Sequence, residues 1–239
     1  MKPFLLAVAR PPGAIAHDER AAILRYGRLV SSQLEALDLL TPAMRLPELA
    51  RYSGVIITGS PYSYLAPVKS DTHKATEQNL QNLCSFLLAR DFPTLGLCFG
   101  FQMLALVAGA QLTRDYPEEM AAHTIQLTAA GISDPLTGKL PRTFRCYSAH
   151  DDAVTHPPES LTVLASNPAV PVHIGRIGAH IYGTQHHPEI GRTGIALRVS
   201  HYAGTYFPAD SRESVLAACQ RATVEHGIIT HFVSSYGVS

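Results

Sequence analysis

An uninterrupted apolar segment that changes from strand-like to helix-like character at one cysteine constrains this chain more than any other feature. Thr94–Leu97 is predicted to form a buried strand, and a helix is predicted over Phe99–Ala108, with Cys98 at the junction. Gly96 and Gly100 lie two residues before and after this cysteine. Glycine lets neighbouring chain pass close to a strained turn without a Cβ clash. The segment therefore predicts a sharp strand-to-helix turn of the nucleophile-elbow kind.

The position of Cys98 predicts a reactive thiol. The free N–H groups and partial positive charge of a helix N-terminus favour the thiolate form of a cysteine placed there. The alternative interpretation is that Cys98 is a small buried residue at the end of a core strand, which is a common role for a lone cysteine. The two interpretations are distinguished by whether the chain also supplies the partners that a thiolate nucleophile requires.

Other strand-like runs occur at Phe4–Val8, Val55–Thr58 and His180–Thr184, and helical patterns lie between several of them. The clearest helical pattern covers Asp71–Arg90, where leucines follow the stripe of one buried face. Alternation of strands and helices is typical of a parallel sheet. The sequence therefore predicts an α/β fold with a mostly parallel central sheet flanked by helices.

Between Gln111 and Gly183, short β-like pieces broken by glycine and proline predict a small mixed or antiparallel β extension. A last helix is predicted to begin near Asp210 or Ser211 and to turn four residues inward, namely Val215, Leu216, Cys219 and Ala222. No linker long enough to split the chain is found. We therefore expect a single domain over residues 1–239 with a C-terminal helical extension over about 204–239.

Composition excludes several classes of protein. Hydrophobic residues make up 46% of the chain and charged residues 16%, and the formal net charge is zero, which predicts a globular protein with no basic surface for nucleic acid. The apolar runs fall short of the roughly 20 residues that span a bilayer. Neither a signal peptide nor a CxxC pair is found, and the 4 cysteines are scattered. We expect a cytoplasmic protein with reduced thiols, no membrane segment and no zinc knuckle.

The segment after the strand His180–Thr184 supplies a base and a group to orient it. His187 and Glu189 are separated only by Pro188, whose ring fixes the backbone between them. Glu189 is expected to hold the imidazole and stabilise its charged form, leaving the other ring nitrogen to exchange a proton with the thiol and the leaving amine. The alternatives for the pair His186–His187 are a turn with a solvated glutamate or a partial metal site. No third ligand is evident, and we predict no metal.

Acyl transfer also requires N–H donors for the developing oxyanion. One donor is expected from the residue after the nucleophile, Phe99, and the other from Gly59, which follows an apolar strand in ITGSP. Taken alone, Gly59 is an ordinary glycine at the end of a strand. A role for Gly59 as an oxyanion donor is indicated only in combination with the other two motifs.

These three motifs, ITGSPYS, GLCFGFQ and QHHPE, occur in an order that resembles the class I (triad) glutamine amidotransferases. The resemblance spans Phe4 to Arg198 and is similar in detail to stand-alone relatives of the GMP-synthase amidotransferase domain. In those relatives TGSP is usual, as is an H-x-D stretch, which YSAHDDAV provides here around His150 and Asp152. The resemblance implies a flavodoxin-like fold. Two departures are Ser60 after Gly59, where many members have a second glycine, and His186 in place of the usual apolar residue.

The resemblance implies a role for each matching residue. Cys98 would be the nucleophile, His187 the base and Glu189 its orienting group, with Gly59 and Phe99 forming the oxyanion hole. Four further residues would contact the substrate: Gln102, Ser148, Ala149 and His150. The last three are alternatively ordinary polar positions of a loop.

The implied reaction is cysteine-dependent hydrolysis of a γ-glutamyl amide to glutamate and ammonia through a thioester, without a cofactor. The sequence contains no phosphate-binding loop, so any ammonia-consuming synthetase would be a separate subunit. Two alternatives stay open: a γ-glutamyl peptidase-like hydrolase of glutathione-like compounds, and a non-catalytic regulatory or binding protein on the same fold. The PfpI-type cysteine hydrolases are disfavoured because Phe99, rather than histidine, follows the cysteine. The C-terminal stretch either covers a sheet edge or forms a homo-oligomer contact.

Overall fold

A computed structural model describes residues 2–42 and 44–237. Within these ranges the chain forms eleven β-strands and seven α-helices. The strands are β1 Phe4–Val8, β2 Leu34–Asp38, β3 Gly54–Ile57, β4 Thr94–Leu97, β5 Gln111–Thr113, β6 Glu118–Leu127, β7 Thr143–His150, β8 Ala153–Thr155, β9 Leu161–Ser166, β10 Ile174–Ile177 and β11 Ile181–Thr184. The helices are α1 Ala14–Gly27, α2 Asp71–Leu88, α3 Phe99–Val107, α4 Ala129–Ser133, α5 Arg192–His201, α6 Arg212–Arg221 and α7 Gly227–Tyr236.

One large sheet organises the described part of the chain, with strand order β2-β1-β3-β4-β11-β10-β9-β6-β7. The first five strands in this order are mutually parallel. The remaining four continue the same sheet with antiparallel pairing. A separate antiparallel pair joins β5 to β8. The predicted α/β fold with a mixed extension is therefore confirmed, and the extension prolongs the central sheet.

The inner parallel strands β1, β3, β4 and β11 are largely apolar because helices cover both of their faces. The edge strand β2 is only partly buried and carries Glu35 and Asp38. Every residue of β3 and β4 is buried. Alternate residues of the strands enter two cores. Val55 and Ile57 face the core that holds α2 and α3, whereas Ile56 faces the core that holds α1 and α7. This arrangement brings the carboxyl ends of β1, β3, β4 and β11 together at one edge, where ligands bind in sheets of this class.

Helix α2 ends two residues earlier than the sequence predicts. Ser70 caps its start by accepting a hydrogen bond from the backbone N–H of His73 at 3.2 Å. At the other end Asp91 adopts φ 44, and the N–H of Phe92 donates to the carbonyl of Leu87 at 3.1 Å. A residue in the left-handed region closes a helix in this way, and leucine spacing alone does not reveal it.

The prediction of a last helix near Asp210 is wrong in one respect, because a further helix, α7, follows α6. Four residues of α7 are buried: Ile228, Ile229, Phe232 and Val233. The ring of Phe232 lies 5.9 Å from that of Phe4 in β1, so α7 covers a face of the sheet rather than its edge. In and after α6, Cys219 and Ala222 are buried as predicted, whereas Val215 and Leu216 are only partly buried.

The assignment of the whole chain to one domain stays a prediction. Among the helices described, none combines the length and apolar character needed to cross a membrane.

Candidate active site

Cys98 lies at the turn between β4 and α3, where it is the residue that precedes the helix. Its backbone has φ 47 and ψ −100, which is unusual for a residue with a side chain and indicates strain. A Cβ on Gly96 would come within 2.7 Å of the backbone nitrogen of Phe101, and one on Gly100 within 2.7 Å of Ile57 Cγ2. The two glycines therefore allow the chain to pass closely enough to form this turn.

His187 and Glu189 lie immediately after β11, beside the cysteine. The Nδ1 atom of His187 lies 2.7 Å from Glu189 Oε1, and the other ring nitrogen is left for the sulfur of Cys98. Burial alone would lower the pKa of His187, but the Glu189 carboxylate and the Cys98 sulfur raise it well above its usual value. Burial opposes ionisation of Glu189, yet His187 and Arg198 lower its pKa. The pair therefore favours an imidazolium beside a carboxylate.

Gly59 lies against the same imidazole. A Cβ at this position would be 2.8 Å from His187 Cε1 and 3.2 Å from Arg10 Nη2, so no side chain fits without displacing the ring. The hydroxyl of Thr58 accepts from the N–H of Ala9 at 2.9 Å and donates to the carbonyl of Gly59 at 3.0 Å, which fixes the turn. Within residues 2–42 and 44–237, the N–H groups of Gly59 and Phe99 donate no hydrogen bond.

The four residues predicted to contact substrate all line the pocket that contains Cys98. Gln102 donates from Nε2 to the carbonyl of Asp152 at 2.6 Å, so its amide is already engaged. The hydroxyl of Ser148 is buried and has no hydrogen-bond partner in the part of the chain described. Ala149 is half-buried, and His150 turns its ring toward Glu118. Their roles as substrate contacts stay predictions.

Asp152 joins three segments around the pocket. One of its carboxylate oxygens, Oδ2, accepts from the hydroxyl of Ser63 at 2.8 Å and from the N–H of Leu65 at 3.2 Å. The other, Oδ1, accepts from Nε of Arg114 at 3.3 Å. Through these contacts and the Gln102 amide, the turn between β7 and β8 is tied to the loop that follows Gly59 and to α3.

Several residues around Cys98 were not found from the sequence. Gln185 Nε2 lies 3.8 Å from the sulfur, and the hydroxyl of Tyr64 donates to the carbonyl of Phe99 at 3.0 Å. The guanidinium of Arg10 is buried against Glu19 at 2.8 Å. These contacts join residues far apart in the chain or lie outside the three motifs, and no spacing rule reveals them.

A second group of histidines surrounds one carboxylate behind the pocket. We call Glu118, His150, His173 and His186 the histidine cluster. Glu118 Oε2 lies 3.2 Å from His150 Nε2, and Oε1 lies 3.1 Å from His173 Nε2. The rings of His173 and His186 have centroids 5.8 Å apart. Among the described residues no group of histidines, cysteines and carboxylates has the arrangement of a metal site.

In the histidine cluster the pKa values of His150 and His186 are lowered, whereas that of His187 is raised. Burial raises the pKa of Glu118, but hydrogen bonds from His150 and His173 outweigh this effect and hold the pKa well below its usual value. Burial lowers the pKa of His150, and it lowers that of His186 still further with help from the neighbouring His173 and His187. His186 and His150 therefore favour the neutral form, which leaves Glu118 the negative charge of the group.

A family model described as "Glutamine amidotransferase class-I" matches residues 20–195, which include every motif of this site. The chain belongs to the class I glutamine amidotransferases. Its sequence relatives place it near the GMP-synthase type within this family. A GMP synthase of Aeropyrum pernix is 30% identical over 182 residues, which are 73% of this chain and 33% of that protein. A glutamine-hydrolysing GMP synthase subunit of Sulfurisphaera tokodaii is 28% identical, over 73% of this chain and 89% of that protein.

A relative with a different name also belongs to this set. A "Gamma-glutamyl-L-1-hydroxyisopropylamide hydrolase" of a Pseudomonas species is 29% identical over 160 residues, which are 62% of this chain and 50% of that protein. Among solved structures, a glutamine amidotransferase of Thermotoga maritima covers 100% of both chains with a TM-score of 0.72. At 20% identity this likeness shows the amidotransferase fold alone.

Proposed function

We propose that this amidotransferase hydrolyses the amide bond of a γ-glutamyl compound through the triad Cys98, His187 and Glu189. One observation carries the proposal: the imidazole of His187 is held by Glu189 at 2.7 Å while its free nitrogen faces a cysteine on a strained turn. A nucleophile, a base and an orienting group in this order are the requirement for acyl transfer by cysteine. Membership of the family supports the reaction class.

The chemistry follows from the positions of these groups. The Cys98 sulfur attacks the γ-carbonyl carbon, and the N–H groups of Gly59 and Phe99 stabilise the oxyanion. His187 then donates its Nε2 proton to the amide nitrogen as the carbon–nitrogen bond breaks, which releases the amine and leaves a thioester. A water molecule gives one proton to His187 and attacks the thioester carbon. Collapse of this second intermediate releases glutamate, and the cycle ends with the starting triad.

The amino-acid part of the substrate would lie on the β7 side of the pocket. The buried hydroxyl of Ser148 has no partner among the described residues, and Ser148 lines the pocket that contains Cys98. A buried polar atom without a partner is costly, and a ligand that hydrogen-bonds to it removes this cost. Ser148 is therefore our first candidate for a contact to the α-amino or α-carboxylate group of a glutamyl substrate.

We propose glutamine as the substrate and, as the acceptor of the ammonia, a synthetase subunit that is a separate polypeptide. The relative from Sulfurisphaera tokodaii, of which the match covers 89%, is itself named as one subunit of a GMP synthase. By analogy, this chain would supply ammonia to a second polypeptide.

A second candidate is hydrolysis of a substituted γ-glutamyl amide with no synthetase. Arg10 and Tyr202 line the catalytic pocket and also an adjoining cavity bounded by Pro12, Pro61 and Leu197. Arg10 lies on the His187 side of Gly59, which is the side on which the leaving amine would be protonated. This mostly apolar cavity could accommodate the apolar substituent of the leaving amine. The name of the Pseudomonas relative agrees with a substrate of this kind.

The test is to measure glutamate release by the purified chain from glutamine, a γ-glutamyl alkylamide and a γ-glutamyl dipeptide, with Cys98→Ser as the control. Release from glutamine that depends on Cys98 supports the first candidate. Release from the alkylamide or dipeptide alone supports the second, and Leu197→Phe should then slow the alkylamide reaction selectively. If none is cleaved, with or without added synthetase, and Cys98 fails to react with a γ-glutamyl electrophile, the catalytic proposal is wrong.

A further inference from the structure

The carboxylate of Glu189 has one oxygen that is hydrogen-bonded and one that is not. Oε1 is paired with His187, whereas Oε2 has no hydrogen-bond partner among the described residues. The side chain is completely buried. A buried carboxylate is costly unless positive charge lies close to it, and a single imidazole that gains and loses its proton during a reaction supplies that charge only part of the time.

A permanent charge is provided by Arg198 of α5. Its Nη2 atom lies 3.8 Å from Glu189 Oε1, which is within the range of an ion pair but too long for a hydrogen bond. Nη2 itself has no hydrogen-bond partner within residues 2–42 and 44–237, and the side chain is only 3% exposed. One half of the guanidinium is therefore directed at the carboxylate of Glu189 without binding it directly.

The other half of the guanidinium is fixed from α1. Arg198 Nη1 lies 2.8 Å from Asp18 Oδ2 and donates to the carbonyl of Gly194 at 3.2 Å. A Cβ at Gly194 would lie 2.5 Å from Asp18 Oδ2 and 3.0 Å from Arg198 Nη1. The glycine thus leaves the space that this ion pair occupies. Asp18 therefore anchors the half of the guanidinium that is not directed at Glu189.

The remaining charged groups near Glu189 largely compensate one another. Glu19, adjacent to Asp18 on α1, is paired with the buried Arg10 at 2.8 Å. Burial raises the pKa of Glu19, and the charge of Glu189 raises it further. His187 is the group that titrates against Glu189 directly. Arg198 also lowers the pKa of Glu19, but Glu19 has Arg10 as its hydrogen-bonded partner. Among the described residues, Arg198 is the guanidinium within ion-pair range of Glu189.

We propose that Arg198 is a positioning residue for the triad, and that Asp18 sets its position. Arg198 supplies the charge that keeps Glu189 ionised. Asp18 keeps the guanidinium far enough away that His187 retains the hydrogen bond to Glu189. The proposal rests on the proposed function in one respect, namely that Glu189 orients His187 for catalysis.

The test uses two readouts, of which one needs no substrate. Alkylation of Cys98 by iodoacetamide is measured against pH, and kcat and KM are measured for the γ-glutamyl compound that is cleaved. In Arg198→Met we expect kcat to fall about 10- to 100-fold with little change in KM, because orientation rather than binding is lost. The acid limb of the alkylation profile should move up by about one pH unit as Glu189 becomes easier to protonate.

Three further variants complete the test. Arg198→Lys should return the acid limb toward that of the wild type, since it keeps the charge. Arg192→Met removes an exposed arginine from the same helix and should change neither readout. Asp18→Asn should lower kcat although Arg198 is retained, because the guanidinium is then free to move onto Glu189. Circular dichroism establishes that each variant is folded; Arg198→Gln replaces the methionine variant if that one is not.

Two results would overturn the inference. If a folded Arg198→Met or Arg198→Gln keeps the wild-type kcat and acid limb while its melting temperature falls, Arg198 has a purely structural role. If Asp18→Asn behaves as the wild type does, Asp18 does not set the position of Arg198. The proposed function fails separately, if the wild type cleaves no γ-glutamyl compound and its Cys98 does not react with a γ-glutamyl electrophile. If the acid limb of iodoacetamide alkylation still moves in Arg198→Met in that case, the positioning role is supported.

Discussion

Two buried histidine–carboxylate groups lie side by side in this protein and favour opposite protonation states. In the triad, one carboxylate serves one histidine, and the pKa of His187 is raised. In the histidine cluster, one carboxylate is shared among several histidines, and the pKa values of His150 and His186 are lowered. Both groups are buried. Burial lowers the pKa of each imidazole, but at His187 the Glu189 carboxylate and the Cys98 sulfur outweigh it. In the histidine cluster burial prevails, and neighbouring imidazoles add to its effect.

The comparison explains how adjacent residues in one chain acquire different properties. His186 and His187 are neighbours in sequence, yet only the second lies 2.7 Å from a carboxylate of its own. The ring of the first is hydrogen-bonded to no carboxylate among the described residues, and its Nδ1 has no partner there. A histidine is suited to proton transfer when a single carboxylate compensates its charge, and to a structural role when it stays neutral.

The largest predicted effect comes from removing the carboxylate of the triad. Glu189→Gln should lower kcat/KM by about 10³- to 10⁴-fold, because His187 loses the group that orients it and stabilises its charge. Steady-state glutamate release measures this effect, with circular dichroism to show that the variant is folded. A folded variant with more than a tenth of wild-type activity would contradict the role that we assign to Glu189.

A substitution at Gly59 tests the triad without altering a residue of the histidine cluster. Gly59→Ala should lower kcat/KM about 100-fold, because its Cβ would lie 2.8 Å from His187 Cε1 and must displace the ring or the turn. The same turn carries the proposed oxyanion donor. Thermal unfolding should change much less than activity does. Unaltered turnover in this variant would show that the ring has more room than the structure gives it.

The corresponding change in the histidine cluster should affect stability. In Glu118→Gln one amide N–H would face an imidazole N–H, so a buried donor loses its acceptor. We expect the free energy of unfolding to fall by about 2 kcal/mol in urea titrations at neutral pH. The variant Glu119→Gln, at an exposed neighbouring position, is the control. Equal stability of the two variants would mean that the cluster does not depend on the charge of Glu118.

The smallest effect is a change in slope with pH. The pKa of His186 is lower in the folded protein than in the unfolded chain, so below about pH 6.5 the unfolded chain binds more protons and stability falls as pH falls. His186→Phe should flatten this fall by about 1.4 kcal/mol per pH unit between pH 6 and 5. Urea titrations at several pH values give the slope. His187 contributes with the opposite sign, because its raised pKa stabilises the folded state below the unfolded pKa and this is lost as pH rises through the folded value. An unchanged slope would show that His186 is not held neutral.

The sequence predicts those parts of the molecule whose residues are contiguous. The bounds of β1 and β4 agree with the prediction, and the Cys98 segment and the His187–Glu189 pair each lie within a few residues of chain. What sequence patterns miss is set by contacts between distant segments. Arg198 and Asp18 are 180 residues apart, and Glu118 meets His173 across 55 residues. The sequence does not predict helix α7, because its apolar stretch is short and the contacts that bury it, with β1 and α1, join distant segments.

The most direct test of the account is the protonation of the histidine rings in protein labelled with ¹⁵N-histidine, with signals assigned through single histidine variants. At pH 7.5 the account predicts that both ring nitrogens of His187 carry protons, whereas His150 is neutral with its proton on Nε2 and His186 is neutral. A neutral His187, or a charged His150 or His186, would contradict the distinction between the two groups and remove the basis for assigning catalysis to the first.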